Sequence, residues 1–233
     1  MPAASATLKV SEIFESLQGE GASTGTPTMF VRLAQCNLHC TWCDTKYTWD
    51  FEHYQYDQEV QERSAEEIAH LVNASSTRRL VLTGGEPLLQ QRALVTFFAA
   101  LAPDIVVEVE TNGTILPAVQ TLARVNCWNV SPKLGNAGDP KAIRVRPAVL
   151  AALRDATCSY LKLVVQGEAD YAEADALVNQ LAWPRDRVFF MPEAADRDVL
   201  RRRSLPVAEA ARTRGFRFSS RLHLELWGGR RGT

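Results

Sequence analysis

Three cysteines fall within eight residues, Cys36-Asn37-Leu38-His39-Cys40-Thr41-Trp42-Cys43. A loop with that spacing can turn three thiolates toward one point, and their mutual repulsion is relieved most directly by a metal. Structural zinc normally takes four protein ligands, so three cysteines leave it one short. His39, placed between two of the cysteines, would strain the loop as a fourth ligand, and His53 or His70 would be arbitrary choices. A cubane iron–sulfur cluster on three thiolates keeps one iron open to a small molecule, which is what an enzyme needs if that molecule is to coordinate the cluster. The spacing therefore predicts a [4Fe-4S] cluster on Cys36, Cys40 and Cys43, with zinc as the weaker alternative. Cys127 and Cys158, lying singly among apolar residues, read as small buried hydrophobes.

Such a loop needs a scaffold. Short, β-branched apolar runs at 8–14, 28–34, 79–83, 105–110, 127–130, 160–165 and 188–191 read as strands. Helical patterns separate most of them, at 91–101, 117–124, 147–155, 171–181 and 197–214, the last with Pro206 placed to break it. Ser64-Ala65-Glu66-Glu67 is a capping box opening a further helix. Strand–helix alternation implies a parallel sheet with both faces covered. Full (β/α)8 closure takes about 250 residues, so 233 with an irregular start predict an α/β fold that is a partial, incomplete TIM-type barrel. One domain is expected over 1–233, with an insertion around 46–63.

Active sites on such sheets lie at the carboxyl ends of the strands, and polar residues fall there. Thr83-Gly84-Gly85-Glu86-Pro87 follows one strand: paired glycines let backbone approach a ligand, and a carboxylate can hold a cationic amine. An ordinary turn with Glu86 in the first helical turn is the plainer alternative. Glu108-Val109-Glu110-Thr111-Asn112-Gly113-Thr114 ends the next strand, with Glu108 and Glu110 on one face by period-two geometry, for ribose hydroxyls or substrate. Asn129-Val130-Ser131-Pro132-Lys133 ends another. Lys162, inside Tyr160-Leu161-Lys162-Leu163-Val164-Val165, fits either the barrel interior or a snorkelling edge position.

Composition bounds the rest. The chain has 46% hydrophobic and 23% charged residues, too apolar for disorder. With 26 basic against 27 acidic residues, it is not built to grip a polyanion over a wide face, so no nucleic-acid partner is expected. No apolar run approaches the roughly 18–20 residues that span a bilayer. Met1 to Thr7 has neither a basic nor an apolar targeting region, so a cytoplasmic, non-membrane protein is expected.

The C-x3-C-x2-C spacing with Trp42 before the last cysteine resembles the signature of radical S-adenosylmethionine enzymes. More narrowly, the ordered motifs resemble the 7-carboxy-7-deazaguanine synthase family from about residue 8 onward. They are Gln18-Gly19-Glu20-Gly21, Phe30-Val31-Arg32-Leu33, Cys43-Asp44-Thr45, the Thr83–Gln90 and Glu110–Thr114 segments, Ser131-Pro132-Lys133, Met191-Pro192-Glu193 and Arg221-Leu222-His223-Leu224-Glu225-Leu226-Trp227-Gly228. The resemblance implies a homodimeric lyase that contracts 6-carboxy-5,6,7,8-tetrahydropterin to 7-carboxy-7-deazaguanine and ammonia in 7-deazapurine (queuosine) biosynthesis. It implies S-adenosylmethionine as a regenerated cofactor, a Mg2+ ion, and an electron donor such as flavodoxin or ferredoxin. It assigns Gly84, Gly85, Glu86, Glu110, Asn112, Ser131 and Lys133 to the cofactor, and Thr45 to magnesium. To the substrate it assigns Gln18, Gly19, Glu20, Arg32, Thr83, His223 and Thr233, with Arg32 on the carboxylate. Where many relatives carry a glycine before the first cysteine, this chain has Ala34-Gln35, which is expected to alter loop packing. The alternatives are an activase of glycyl-radical enzymes, and a zinc or iron–sulfur interaction module without catalysis.

Overall fold

A computed structural model describes residues 6–233; Met1–Ser5, on which much of the reading of the amino terminus rests, lie outside the described residues. Nine strands form one sheet: β1 (Thr7–Leu17), β2 (Pro27–Leu33), β3 (Gln61–Ser64), β4 (Arg79–Gly84), β5 (Val106–Thr111), β6 (Cys127–Val130), β7 (Ser159–Val165), β8 (Val188–Pro192) and β9 (Arg217–Phe218). Their order is β3-β1-β2-β4-β5-β6-β7-β8-β9. From β2 to β9 every pairing is parallel, and the linking segments carry helices, as right-handed crossovers require. Those helices are α1 (Tyr56–Glu59), α2 (Ala65–Ala74), α3 (Gln91–Ala100), α4 (Val119–Arg124), α5 (Lys141–Arg144), α6 (Pro147–Arg154), α7 (Glu168–Leu181) and α8 (Arg197–Arg214), with α9 (Leu222–Trp227) after the last strand.

The sheet is not wholly parallel. β1 runs antiparallel to β2, and β3 antiparallel to β1. A connection of nine residues joins β1 to β2, too short for the crossover that parallel neighbours need. β3 comes from the end of the segment read as an insertion; Thr7 to Val10 pair with Ser64 to Gln61 there. The result is an open α/β barrel, edged by the short strands β3 and β9, which single-sequence periodicity does not register.

Local signals explain the main helices. Ser64 caps α2, its Oγ accepting from Glu67 N at 3.3 Å. α8 is one continuous helix with Pro206 inside it, against the expected break. Asp196 caps its start, accepting from Asp198 N and Val199 N, and Val207 and Ala211 bury its face beyond the proline. Tertiary burial thus outweighs the loss of one helical hydrogen bond.

The core lies between sheet and helices: Val31, Leu33, Leu80, Leu82, Val107, Val109, Leu161, Leu163 and Phe190 meet Ile68, Leu94, Phe97, Leu150, Tyr171 and Leu177. Residues alternating with these point to the barrel interior, where Glu108 and Lys162 are buried. Cys127 and Cys158 are half-buried, not core residues, with sulfurs 3.3 Å apart on neighbouring strand starts.

Candidate active site

The interior opens at the carboxyl ends of the strands into a cavity of about 610 Å³. Cys36, Cys40 and Cys43 line it, as do Gln18, Gly19, Glu20, Arg32, Thr45, Thr83, Gly84, Gly85, Glu110, Asn112, Ser131, Lys133, His223 and Thr233. Residues separated by two hundred positions are thus gathered around one space.

On one side lies the cysteine loop, whose entrance is held by backbone hydrogen bonds and whose body is held by side chains, Asn136 accepting from Trp42 Nε1 at 3.2 Å and Asp139 from His39 N at 3.1 Å. Gln35 N donates to Thr48 O at 2.7 Å, Glu86 N to Gln35 O at 2.8 Å, and Gly85 N to Leu33 O at 3.0 Å. A Cβ on Gly85 would overlap the Gln35 carbonyl, and one on Gly84 the Leu33 carbonyl. The paired glycines therefore let the β4 turn lie against the chain entering Cys36. Gln35, immediately before Cys36, has a φ of 72°, the left-handed region that glycine adopts freely. The loop keeps the turn and bears the strain in a non-glycine residue.

Trp49 Nε1 donates to Cys43 Sγ at 3.3 Å and Leu38 N to Cys36 Sγ at 3.5 Å, contacts that suit thiolates. Burial pushes the Cys36 thiol up to about 12, and it also raises Cys40, while Lys133 pulls both down. Lone thiolates are disfavoured there, so the donor set fits a cationic group that would hold them. Among the described residues no three of His, Cys, Asp and Glu are arranged around a single metal ion, while Cys36, Cys40 and Cys43 pack together around Leu38 and Ala137. His39 stays apart from the cavity with its ring stacked on Trp49 at 4.8 Å, so it is no fourth zinc ligand.

Glu86 calls for a correction. It is fully buried and absent from the cavity lining. Its Oε1 accepts from Leu88 N at 3.0 Å and Thr111 Oγ1 at 2.9 Å, and its Oε2 from Asn112 N at 2.7 Å. Burial raises its pKa against the pull of those donors. Glu86 ties the ends of β4 and β5 together instead of meeting a ligand's amine; the Gly84 and Gly85 backbone is what faces the cavity. Asn112 lies by the loop, its Nδ2 donating to Asn37 Oδ1 at 3.0 Å. Lys133 donates to Ser131 Oγ at 3.0 Å, with its ammonium over the Trp42 ring.

The opposite side is built from side chains. Gln18 Nε2 donates to Glu110 Oε1 at 3.2 Å and Glu108 Oε1 at 3.3 Å, and Thr83 Oγ1 donates to Glu110 Oε2 at 2.8 Å. Glu110 thus sits with Gln18 and Thr83, both read as substrate-binding. Glu108 lies one layer deeper, held by Arg79 at 2.8 Å and Ser23 at 2.7 Å. Glu20 is ion-paired to Lys162 and, at 3.2 Å, to Arg221, and these cations hold its carboxyl far below the usual range despite burial. Arg221 also pairs with Asp44. Arg32 Nε donates to Glu12 Oε2 at 2.8 Å, while its Nη groups have no hydrogen bond among the described residues and remain a fork for a carboxylate. Leu222 N donates to Gly19 O at 2.9 Å, which brings His223 against Gly19; burial lowers the His223 pKa and keeps it neutral near pH 7.

Sequence reasoning left Lys162 undecided and gave no role to Glu12, Tyr47 or Arg221. A lysine in an apolar strand was the one signal available for Lys162; Tyr47 donates to Glu12 at 2.7 Å across 35 positions, and Arg221 reaches Glu20 across 201.

Residues 17–131 match the 4Fe-4S single cluster domain family. The chain is 38% identical over 226 residues to the 7-carboxy-7-deazaguanine synthase of Pyrobaculum aerophilum, covering 97% of each. It is 35% identical to that of Halobacterium salinarum, over 94% of this chain and 90% of the relative. The crystal structure of QueE from Escherichia coli superposes with a TM-score of 0.70 at 27% identity, over 93% of this chain and 95% of that one. SuiB of Streptococcus suis shares the fold alone, with a TM-score of 0.54 at 14% identity over 84% of this chain and 48% of that one. No described helix is long and apolar enough to cross a membrane. Identity at this level over nearly the whole chain, together with three cysteines and the strand-end motifs around one cavity, makes this chain a member of the 7-carboxy-7-deazaguanine synthase family of radical S-adenosylmethionine lyases.

Proposed function

We propose that this cavity contracts 6-carboxy-5,6,7,8-tetrahydropterin to 7-carboxy-7-deazaguanine, with the cysteine side serving the cofactors and the charged side the pterin. Support comes above all from the division of one cavity into a thiol wall and an ion-paired wall, each suited to a different ligand. Cys36, Cys40 and Cys43 would hold the [4Fe-4S] cluster, and the Gly84–Gly85 backbone with Asn112, Ser131 and Lys133 would hold S-adenosylmethionine. When bound, this pair supplies reductive cleavage of a sulfonium, and with it a 5′-deoxyadenosyl radical at the substrate.

The chain's own part is to bind, orient and exclude water. Arg32, fixed at Nε by Glu12, presents its free fork to the substrate carboxylate. Gln18, Glu20 and Glu110 present acceptors and an amide to the pterin edge, and the cations around Glu20 keep it an acceptor. A site of this kind rejects analogues that leave its buried polar groups unpaired. Thr45, which lines the cavity, carries a hard oxygen donor suited to Mg2+. A flavodoxin- or ferredoxin-class donor, a homodimer and a cytoplasmic setting complete the proposal.

The decisive experiment is anaerobic reconstitution with iron and sulfide, then reduction with S-adenosylmethionine and the carboxypterin present. Formation of 7-carboxy-7-deazaguanine and ammonia is expected. Protein that carries the cluster but leaves the carboxypterin unchanged refutes the proposal, and activation of a glycyl-radical protein would favour the activase reading.

A further inference from the structure

Lys162 is a cation in the middle of an apolar strand, and such a residue is costly unless its charge is answered. Its side chain is 7% exposed and points into the barrel interior from β7. There it is ion-paired to Glu20, from the connection between β1 and β2, and its Nζ lies 3.8 Å from Glu110 Oε1 on β5. Both carboxylates line the cavity. Without an intervening cation they would be two like charges facing one buried space, and their repulsion would splay them apart or favour a shared proton as pH falls.

We infer that Lys162 is a positioning residue, holding Glu20 and Glu110 as two fixed, ionised acceptors for the N–H donors along one edge of a bicyclic pterin. This rests on the substrate reading above. The other charges facing Glu20 are Arg221, which is shared with Asp44 of the cysteine loop, and His223 of α9, which burial keeps neutral. Arg221 is therefore divided between two carboxylates, and Lys162 is the cation that joins Glu20 to Glu110. Its own pKa is raised by those two neighbours in spite of burial, so it stays charged over the range in which the enzyme works.

The test uses reconstituted, S-adenosylmethionine-loaded enzyme and the fluorescence of pterin-6-carboxylate, an unreactive probe, titrated from pH 6 to pH 8. The readout is the ratio of each variant's Kd to the wild-type Kd, which cancels the probe's own ionisation. For Lys162→Met that ratio should grow about tenfold as the pH falls from 8 to 6, because the carboxylate pair then shares a proton. Lys162→Arg should restore a flat ratio. In a Glu20→Gln background, adding Lys162→Met should cost less than twofold in affinity, because Glu110 then faces no second carboxylate and stays ionised without the lysine. If Lys162→Met alone fails to retain its cluster, the double variant against Glu20→Gln decides the matter by itself, because it removes one of the two facing carboxylates together with the lysine. A pH-independent ratio for Lys162→Met, or a loss of fivefold or more on adding it to Glu20→Gln, overturns the role of Lys162 alone. Wild-type enzyme that neither binds the probe nor converts the carboxypterin overturns the substrate reading together with it.

Discussion

The two walls of the cavity are assembled in opposite ways. The cysteine wall is local: thirteen residues from Gln35 to Tyr47 hold all three thiols, and backbone hydrogen bonds and glycine contacts fix their entrance. The charged wall is distributed: Glu20 meets Lys162 and Arg221 at sequence separations of 142 and 201, and Arg221 meets Asp44 at 177. A local wall tolerates change in its surroundings but not in its own few residues. A distributed wall spreads its geometry over many elements, so single changes there should tune affinity before they abolish chemistry. The contrast orders the expected effects of substitution.

The largest effect belongs to the cysteine wall. Cys40→Ala should lose cluster and turnover together, with iron content and visible absorbance falling in step with product formation. Retained turnover would mean that the loop is not the cluster site. Gly85→Ala comes next. Its Cβ would meet the Gln35 carbonyl, which is backbone and cannot rotate aside, so the turn or the cysteine loop must move. A cost of about 1–3 kcal/mol is expected from overpacking of this kind, together with poorer cluster retention. Thermal unfolding and iron content read the two parts separately. Unchanged values in both would show that the two backbones are not packed as described.

The carboxyl-terminal tail adds to the charged wall. Gly229 to Thr233 border the cavity, and Arg231 clasps the segment read as an insertion. Its guanidinium lies 3.6 Å from the Tyr47 ring centroid and pairs with Glu59 at 2.6 Å and Glu12 at 3.3 Å. Glu12 also orients Arg32, so the tail is coupled to the fork proposed for the substrate carboxylate. Half-exposed ion pairs and a cation–π contact together contribute about 1 kcal/mol, so Arg231→Ala should raise KM roughly fivefold with kcat and iron content little changed. A fall in kcat at constant KM would place the tail in the chemistry instead of in binding.

The same contrast governs what could be read from the sequence. Strands over 79–83 and 127–130 and the cap at Ser64 follow from periodicity and capping chemistry, both short-range. The cysteine spacing is likewise short-range and carried the cluster reading; what it could not convey was which distant residues pack against the thiols, Ala137 among them. The turn at Thr83 to Pro87 was legible as a functional place, yet the sequence does not say which atoms face inward. The glycine backbone does, and Glu86 turns back to bind Thr111 and Asn112. β3 and β9 have four and two residues and no alternation to detect. Lys162 was visible as an anomaly, but its meaning depended on partners supplied by the β1–β2 connection and by β5, and pairings across that span leave no trace in a single sequence.

The smallest expected effect is a matter of sign, and it tests whether the charged wall is shut away from water. His53 and His223 both stand beside carboxylates, but their surroundings oppose one another. His53 is exposed, and its hydrogen bond with Asp50, 2.9 Å from Nδ1, raises its pKa. His223 is half-buried, and burial lowers its pKa although Glu20 and Asp44 pull the other way. For His223 the unfolded chain takes the proton first as pH falls below about 6.5, so that group's share of stability is lost from there down to its folded pKa. For His53 the sign reverses: its share is present below about 6.5 and is lost as pH rises through the folded pKa. Bulk stability curves would mix the two, so site-resolved NMR of the imidazole signals, assigned through His53→Gln and His223→Gln, is the measurement that separates them. His223 should titrate below the ordinary value and below His53. The reverse order would show water reaching Glu20 and Arg221 freely, and would remove the reason for treating that wall as a buried, charge-balanced surface.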